Sequence, residues 1–274
     1  MVEIKNRIHK GDAPFTEELK SHIIPVEADK YRPYFDEGWL RMLWPFLLSE
    51  DYKKIKEHLK SELKANDKIT PNVEHMFDAF KYCKYEDLKV VIMGQDPYPQ
   101  EGVADGLAFS TKKLKCPPSL GIIYRGIEED IYKGLNLSMV KSPNLTYLAK
   151  QGVLLLNTAL TTGVEKIGYH FELWRPFMLY LINILNKYNR GLVINSWGQV
   201  AQRYSPYFSP TAHSYIHCEH PAAAGHRGGM WEHRKCFSTT NYILEKSNGP
   251  SSRIMWDLSE INEAEYDQMF MLTE

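Results

Sequence analysis

Val91-Ile92-Met93-Gly94-Gln95-Asp96-Pro97-Tyr98-Pro99 reads as a buried β-strand that ends on glycine and turns at once into a stiff polar loop. The apolar, β-branched start is strand-like. Pro97 and Pro99 fix φ and remove two backbone donors, so Asp96 stands on rigid backbone just past the strand. A carboxylate held in that way is a candidate catalytic group. Asp-Pro also opens ordinary turns, so the meaning of Asp96 depends on what else reaches the same edge.

Residues 88–94, 153–157, 192–195 and 214–217 are short apolar or β-branched runs, with helical patterns at 120–132, 176–188 and 198–204 between them. This alternation predicts an α/β fold: a central four-stranded parallel twisted sheet with helices on both faces. In such sheets ligands bind beyond the C-terminal strand ends. The first strand leads into Gln95, Asp96 and Tyr98, the second ends on Asn157, and the fourth runs into Glu219-His220-Pro221. An acid, an amide and an imidazole are thereby brought to one edge. Singly, Asn157 reads as a helix cap, His220 as a structural histidine, Phe109 as core and Tyr98 as a packing lid; their equivalent places in the topology favour a site. Ahead of the sheet, Trp39, Leu40, Leu43 and Trp44, then Ile55, Leu59 and Leu63, recur at helical spacing. Pro45 and Ser49-Glu50-Asp51 divide that stretch into two helices. Residues 72–81 predict another short helix.

With 274 residues, 43% of them hydrophobic, the chain can bury one large core, and no Gly/Ser-rich or Pro-rich linker divides its middle. The 33 basic and 34 acidic residues nearly cancel, so a nucleic-acid contact has to come from local patches. Cys83, Cys116, Cys218 and Cys236 show no C-x-x-C pairing and are expected as free thiols. The first residues carry no apolar signal segment, and the longest apolar stretch, residues 177–185, is too short to span a bilayer. A soluble, intracellular protein without a membrane partner is expected.

Five ordered motifs resemble family 1 uracil-DNA glycosylases. Gly94-Gln95-Asp96-Pro97-Tyr98, followed by Gly106-Leu107-Ala108-Phe109-Ser110, is similar to the family's water-activating loop. Leu154-Leu155-Leu156-Asn157 resembles its uracil-reading strand, Pro117-Pro118-Ser119-Leu120 its proline-rich loop, and His220-Pro221 the start of its minor-groove loop. Phe237-Ser238-Thr239-Thr240-Asn241 matches the segment after it. The resemblance covers approximately residues 35–256. It implies a monofunctional glycosylase that starts base-excision repair on uracil-containing DNA, single- or double-stranded, with no metal or organic cofactor; no metal-ligand cluster is visible in the sequence. By the same resemblance Asp96 stabilises the sugar cation and orients the attacking water, and His220 donates to uracil O2. The Asn157 amide complements uracil O4 and N3–H. Phe109 stacks on the flipped base, Tyr98 presses on uracil C5, and Gln95 completes the pocket. The expected protein is a monomer, cytoplasmic in a bacterium and nuclear or in a viral factory otherwise, with a proteinaceous inhibitor or a replication partner as candidate protein contacts.

The chain departs from the family pattern at several places. Pro99 replaces a usual histidine, as in poxvirus relatives, and Asp105 replaces another, adding negative charge near the expected DNA path. The minor-groove loop is Pro221-Ala222-Ala223-Ala224-Gly225, so the leucine that wedges into the vacated base site becomes Ala224. Phosphate-gripping hydroxyls are lost at Ala222, Gly225 and Gln199, and Ser119 keeps one. The following stretch, residues 225–235, carries three cations against one carboxylate. Arg227, Met230 or Trp231 are its candidate substitutes for the wedge, and a Trp231 packed on the core is the plain alternative. Thr111-Lys112-Lys113-Leu114-Lys115 is a second basic patch. Residues 1–34 read as an N-terminal extension, 35–256 as the catalytic domain, and 257–274, with six acidic and no basic residues, as an acidic tail. The eroded loop leaves one other reading open: a DNA-binding or polymerase-processivity scaffold subunit with weak or no glycosylase activity.

Overall fold

Two polar caps open the first α-helices among the described residues of the chain, for which a computed structural model covers 24–133 and 139–260, less the side chains of residues 226, 227 and 260. The Asp36 carboxylate accepts from the Gly38 and Trp39 N–H groups at 3.2 and 3.1 Å, opening α1 (Glu37–Leu47). Ser49 Oγ accepts from Tyr52 N–H at 3.2 Å and opens α2 (Glu50–Lys64), so the break falls at Ser49 and Pro45 sits inside α1. The apolar stripe of α2 ends differently from its sequence pattern. Leu63 is 46% exposed, whereas Glu62 is 8% exposed and continues the buried row Tyr52, Ile55, Leu59. Spacings of three and four both keep a residue on one face. Glu62 takes the inner position because its carboxylate meets His170 Nε2 at 3.0 Å.

Next come β1 (Ile69–Thr70), a 3-10 turn over Val73–His75, and α3 (Asp78–Tyr82). The single helix expected over residues 72–81 is therefore two pieces. β2 (Val90–Gly94) follows, then α4 (Pro118–Ile131), α5 (Thr146–Lys150), β3 (Val153–Asn157), β4 (Thr162–Gly163) and α6 (Phe171–Tyr188). The chain continues through β5 (Val193–Trp197), α7 (Gln199–Gln202), β6 (Ser214–Cys218) and α8 (Cys236–Asn248). α6 begins ahead of Pro176, because buried Trp174 already belongs to the face that Phe177, Met178 and Leu181 continue.

The main sheet is four-stranded, in the order β3-β2-β5-β6, and every pairing is parallel. β2, β3 and β5 are buried along their whole length, as strands covered on both faces must be, while edge strand β6 alternates. A second, antiparallel pair joins β1 to β4. That ribbon, α5 and α8 have no counterpart in the sequence reading. α8 shows why: its buried row mixes Phe237, Ile243 and Leu244 with Thr240, Asn241 and Ser247, which hides the helical period. Its start is capped from outside. Asp130 on α4 accepts from the Phe237 and Ser238 N–H groups, both at 3.0 Å.

Tyr31 packs edge-on against Trp44, with centroids 6.0 Å apart, and Asp257 is fully buried, so chain on either side of residues 35–256 also packs on the core. Residues 1–23 and most of the acidic tail, 261–274, lie outside the described residues. All four cysteines are free. Among the described residues no helix is long and apolar enough to cross a membrane.

Candidate active site

The parallel register sets Gly94, the last residue of β2, directly opposite Asn157, the last of β3. From there the chain enters the Gln95–Pro99 loop, which is tied down on both sides. Thr158 donates twice to the Gln95 carbonyl, from N–H at 3.0 Å and from Oγ1 at 2.6 Å. Thr70 Oγ1 on β1 donates to the Tyr98 carbonyl at 3.2 Å, and Glu165 N–H to that of Pro99 at 2.9 Å. Gly168 N–H donates to Asp96 Oδ2 at 2.6 Å. The β1–β4 ribbon and the strap that follows it therefore hold the carboxylate. Gly168 is required in this place: its φ is +73°, and a Cβ would lie 2.8 Å from the Phe171 ring. Burial pushes the Asp96 carboxyl above its ordinary value, and the hydrogen bonds from Gly168 and Gln95 offset only part of that rise.

Phe109 is held beside this loop in an unusual backbone state, φ +65°, rarely adopted by an aromatic residue. Asp105 holds that turn. Its two carboxylate oxygens accept from Leu107 N–H at 3.2 Å and Ser110 Oγ at 2.7 Å, and Ser110 Oγ accepts from Leu145 N–H at 3.0 Å. Asp105 is only 3% exposed. The expectation of a negative charge on the DNA path is thus corrected: this carboxylate is turned inward by the backbone it organises. Tyr98 Oη donates to the Phe109 carbonyl at 3.0 Å, tying the two aromatics together. The Phe109 ring lies 5.2 Å from Trp197 and 5.7 Å from the His220 ring.

Asn157 is buried, not capping a helix, and its Oδ1 sits over Gly94. A Cβ on residue 94 would come within 2.8 Å of that oxygen and 3.1 Å of the Phe109 ring. Gly94→Ala is therefore expected to leave the fold intact while displacing both side chains. Since misplacement by about 1 Å can cost roughly 100-fold, the kcat/KM of any reaction carried out in this cleft should fall by about that factor.

His220 follows β6 and caps the 3-10 turn Pro221–Arg227. Its Nδ1 accepts from Ala222 N–H at 3.2 Å, which places the ring proton on Nε2 in the neutral form. Burial lowers its pKa and favours that neutral form. Gly198, at the end of β5, has φ +94°, and its missing Cβ leaves room for the His220 side chain.

Gln95, Asp96, Tyr98, Phe109, Asn157 and His220 all line one cleft of about 840 Å³. Ser119 and Ala222 line its mouth, as do Lys113 and Lys115 of the basic patch. The minor-groove loop departs from the sequence reading. Pro221 is buried and Ala224 is 0% exposed, so neither is available for the surface contact expected of it; both pack inward because the loop closes as a tight 3-10 turn. Ala223 is half-buried and the Arg227 side chain lies outside the described residues. Trp231 is excluded as a wedge: it is buried against Gly126 of α4, with Nε1 donating to the Glu219 carbonyl at 2.9 Å. Met230 is 71% exposed.

Residues absent from the sequence reading also serve the site. Gly168 and Ile167 reach it from the strap and Trp197 from β5; Cys116 stands at the mouth. No local sequence signal marks Gly168, whose partner is 72 residues away. Away from the cleft, His58, Glu62 and His170 come together, a grouping of metal-ligand type that the sequence reading did not see.

Fold and cleft define an α/β protein with a pocket of acid, amide, imidazole and aromatic groups above the C-terminal edge of a parallel sheet. Known proteins narrow this class. The family profile described as the Uracil DNA glycosylase superfamily matches residues 80–245. A uracil-DNA glycosylase of Campylobacter fetus is 34% identical over 85% of this chain and 98% of its own length. One from Campylobacter jejuni is 33% identical over 81% of this chain and 94% of its own. Among solved structures, a mimivirus UNG variant in complex with UGI superposes with a TM-score of 0.71 and 25% identity, covering 82% of this chain and 89% of that one. The chain belongs to the uracil-DNA glycosylase superfamily.

Proposed function

We infer that this chain is a DNA glycosylase that hydrolyses the N-glycosidic bond of deoxyuridine in DNA and so initiates base-excision repair. The observation that carries the reading is the meeting of Asp96, Asn157, Phe109 and neutral His220 in one cleft. The target base has to leave the duplex to enter it. Phe109 then stacks on the ring and Tyr98 crowds its C5 edge. The Asn157 amide, seated over Gly94, offers one donor and one acceptor to uracil N3–H and O4. Cytosine presents the reversed pattern and would leave a buried polar group unpaired, at a cost of about 1–3 kcal/mol.

Bond breaking leaves positive charge on the sugar and negative charge on the base. Asp96, aimed by Gly168, stabilises the first and orients a water for attack at C1′. His220 Nε2–H stabilises the second at O2. We place the functional unit at residues 35–256, acting as a monomer inside the cell. The mimivirus UNG variant was solved with UGI, and a protein partner of that kind is proposed here also. Lys113, Lys115 and Ser119 are the proposed phosphate contacts, together with Ala222 and the Arg227 segment.

The test is release of uracil from single- and double-stranded oligonucleotides by the purified chain. With the wedge position occupied by buried Ala224, single-stranded DNA should be cleaved at least roughly tenfold faster than duplex, because unstacking a duplex base costs a few kcal/mol that no side chain at position 224 repays. Equal rates would show that another side chain fills the gap, and Met230→Ala would then create the missing preference. No abasic product on either substrate would overturn the glycosylase reading.

A further inference from the structure

Glu62 occupies a position on α2 where the buried row Tyr52, Ile55, Leu59 calls for an apolar residue. The residue is 8% exposed, and its carboxylate is only half satisfied. Oε2 meets His170 Nε2 at 3.0 Å, but Oε1 has no hydrogen-bond partner among the described residues. His58, one turn earlier on the same face, directs Nε2 towards that oxygen at 3.6 Å. The His58 and His170 rings stand at 87° with centroids 5.8 Å apart, and one ligand atom from each of the three residues lies within 4.8 Å of the others. Three ligands at about 2.0–2.2 Å from a tetrahedral ion sit roughly 3.4 Å from each other, and the two nitrogen–oxygen separations here, 3.0 Å from His170 and 3.6 Å from His58, lie on either side of that value.

We propose that His58, Glu62 and His170 form a binding site for a single divalent transition-metal ion of the zinc type. The ligand set of two imidazoles and one carboxylate suits Zn²⁺, Co²⁺ or Ni²⁺, whereas Mg²⁺ and Ca²⁺ require more oxygen donors. The outer contacts are in place. His170 Nδ1 lies 2.9 Å from Thr161 Oγ1, which is itself fixed by the Trp174 indole N–H at 2.7 Å, so the ring is oriented with Nε2 facing Glu62. The His58 side chain is 47% exposed, which leaves a fourth coordination position open to water and gives the ion a route in. The ion would link α2 to the segment just before α6. That segment includes Gly168, two residues from His170, whose N–H holds Asp96. Binding itself does not depend on the glycosylase reading and is measured without substrate.

The experiment uses the full chain stripped with EDTA. Titration with ZnCl₂ by calorimetry should reveal one site, and a hundredfold excess over Kd should raise the melting temperature by roughly 5 °C. CoCl₂ should give the visible absorption of a four-coordinate ion without a thiolate charge-transfer band, and MgCl₂ should give no shift. His58→Ala removes a half-exposed side chain and keeps the fold; it should weaken binding at least tenfold and, at the same zinc concentration, cut the zinc-induced rise to about half or less. No zinc binding by the wild-type chain below about 100 µM would overturn the proposal. So would binding that His58→Ala leaves unchanged, or a cobalt spectrum dominated by thiolate.

Discussion

Asp96→Asn is expected to lower uracil release by roughly 10³-fold and at the same time to raise the melting temperature. Both effects arise from one environment. The carboxylate is part-buried and receives a single backbone donor, Gly168 N–H, so burial holds its pKa above the ordinary carboxylate value of 3.8. A raised pKa means that the folded state binds the Asp96 proton more tightly than the unfolded chain does. Stability therefore falls as pH rises from the unfolded value through the raised folded one, and at neutral pH the ionised side chain works against folding. Asparagine still accepts from Gly168 and carries no charge to desolvate. It cannot stabilise a sugar cation or take a proton from water, functions typically worth 10²–10⁴-fold. In wild type, kcat/KM should climb with pH through that raised pKa, and His220, whose lowered pKa keeps it neutral, should not oppose the climb. A melting temperature that falls in Asp96→Asn, or turnover within tenfold of wild type, would refute the role assigned to this carboxylate.

His220→Leu is expected to cost about 100–1000-fold, nearly all of it in kcat. Its Nε2–H is preorganised by the Ala222 N–H bonded to Nδ1 and by the Phe109 ring beside it. A donor aimed at an atom that becomes anionic only as the bond breaks stabilises the transition state more than the bound substrate, so KM should change little. Leucine keeps the bulk against Phe109 but forfeits the cap on the Pro221–Arg227 turn, a small stability loss that a melting curve will separate from catalysis. His220→Gln, which retains a donor, should recover part of the rate. If the loss fell mainly on KM, His220 would be a ground-state binding residue.

Much of this architecture is legible in the sequence. The four strands of the main sheet, their alternation with helices and the clustering of Asp96, Asn157 and His220 at one edge follow from short apolar runs and the residues after them. The fully buried strands β2 and β3 carry their signal locally, as near-continuous runs of Val, Ile, Leu and Met. Signals that mix polar and apolar residues on one face were not legible. α8 escapes because Thr240, Asn241 and Ser247 lie on its buried side, and only the last buried position of α2 differs from the expected row Ile55, Leu59, Leu63, because Leu63 is the more core-like residue type and Glu62 takes its place. Pro221 and Ala224 were placed on the DNA surface by their position in a motif, whereas the closed 3-10 turn buries both.

The order of residues sets the chemistry available at the sheet edge: which acid, amide, imidazole and aromatic groups follow the strands, and in what succession. How those groups are held and charged depends on the folded chain. The Gly168 N–H that aims Asp96 is 72 residues from it, the Asp105 carboxylate is turned inward rather than towards DNA, and Glu62 meets His170 across 108 residues. Strand patterns record local burial, which neighbours along the chain share. Hydrogen-bond partners and desolvation are set by neighbours in space, and no local period records them.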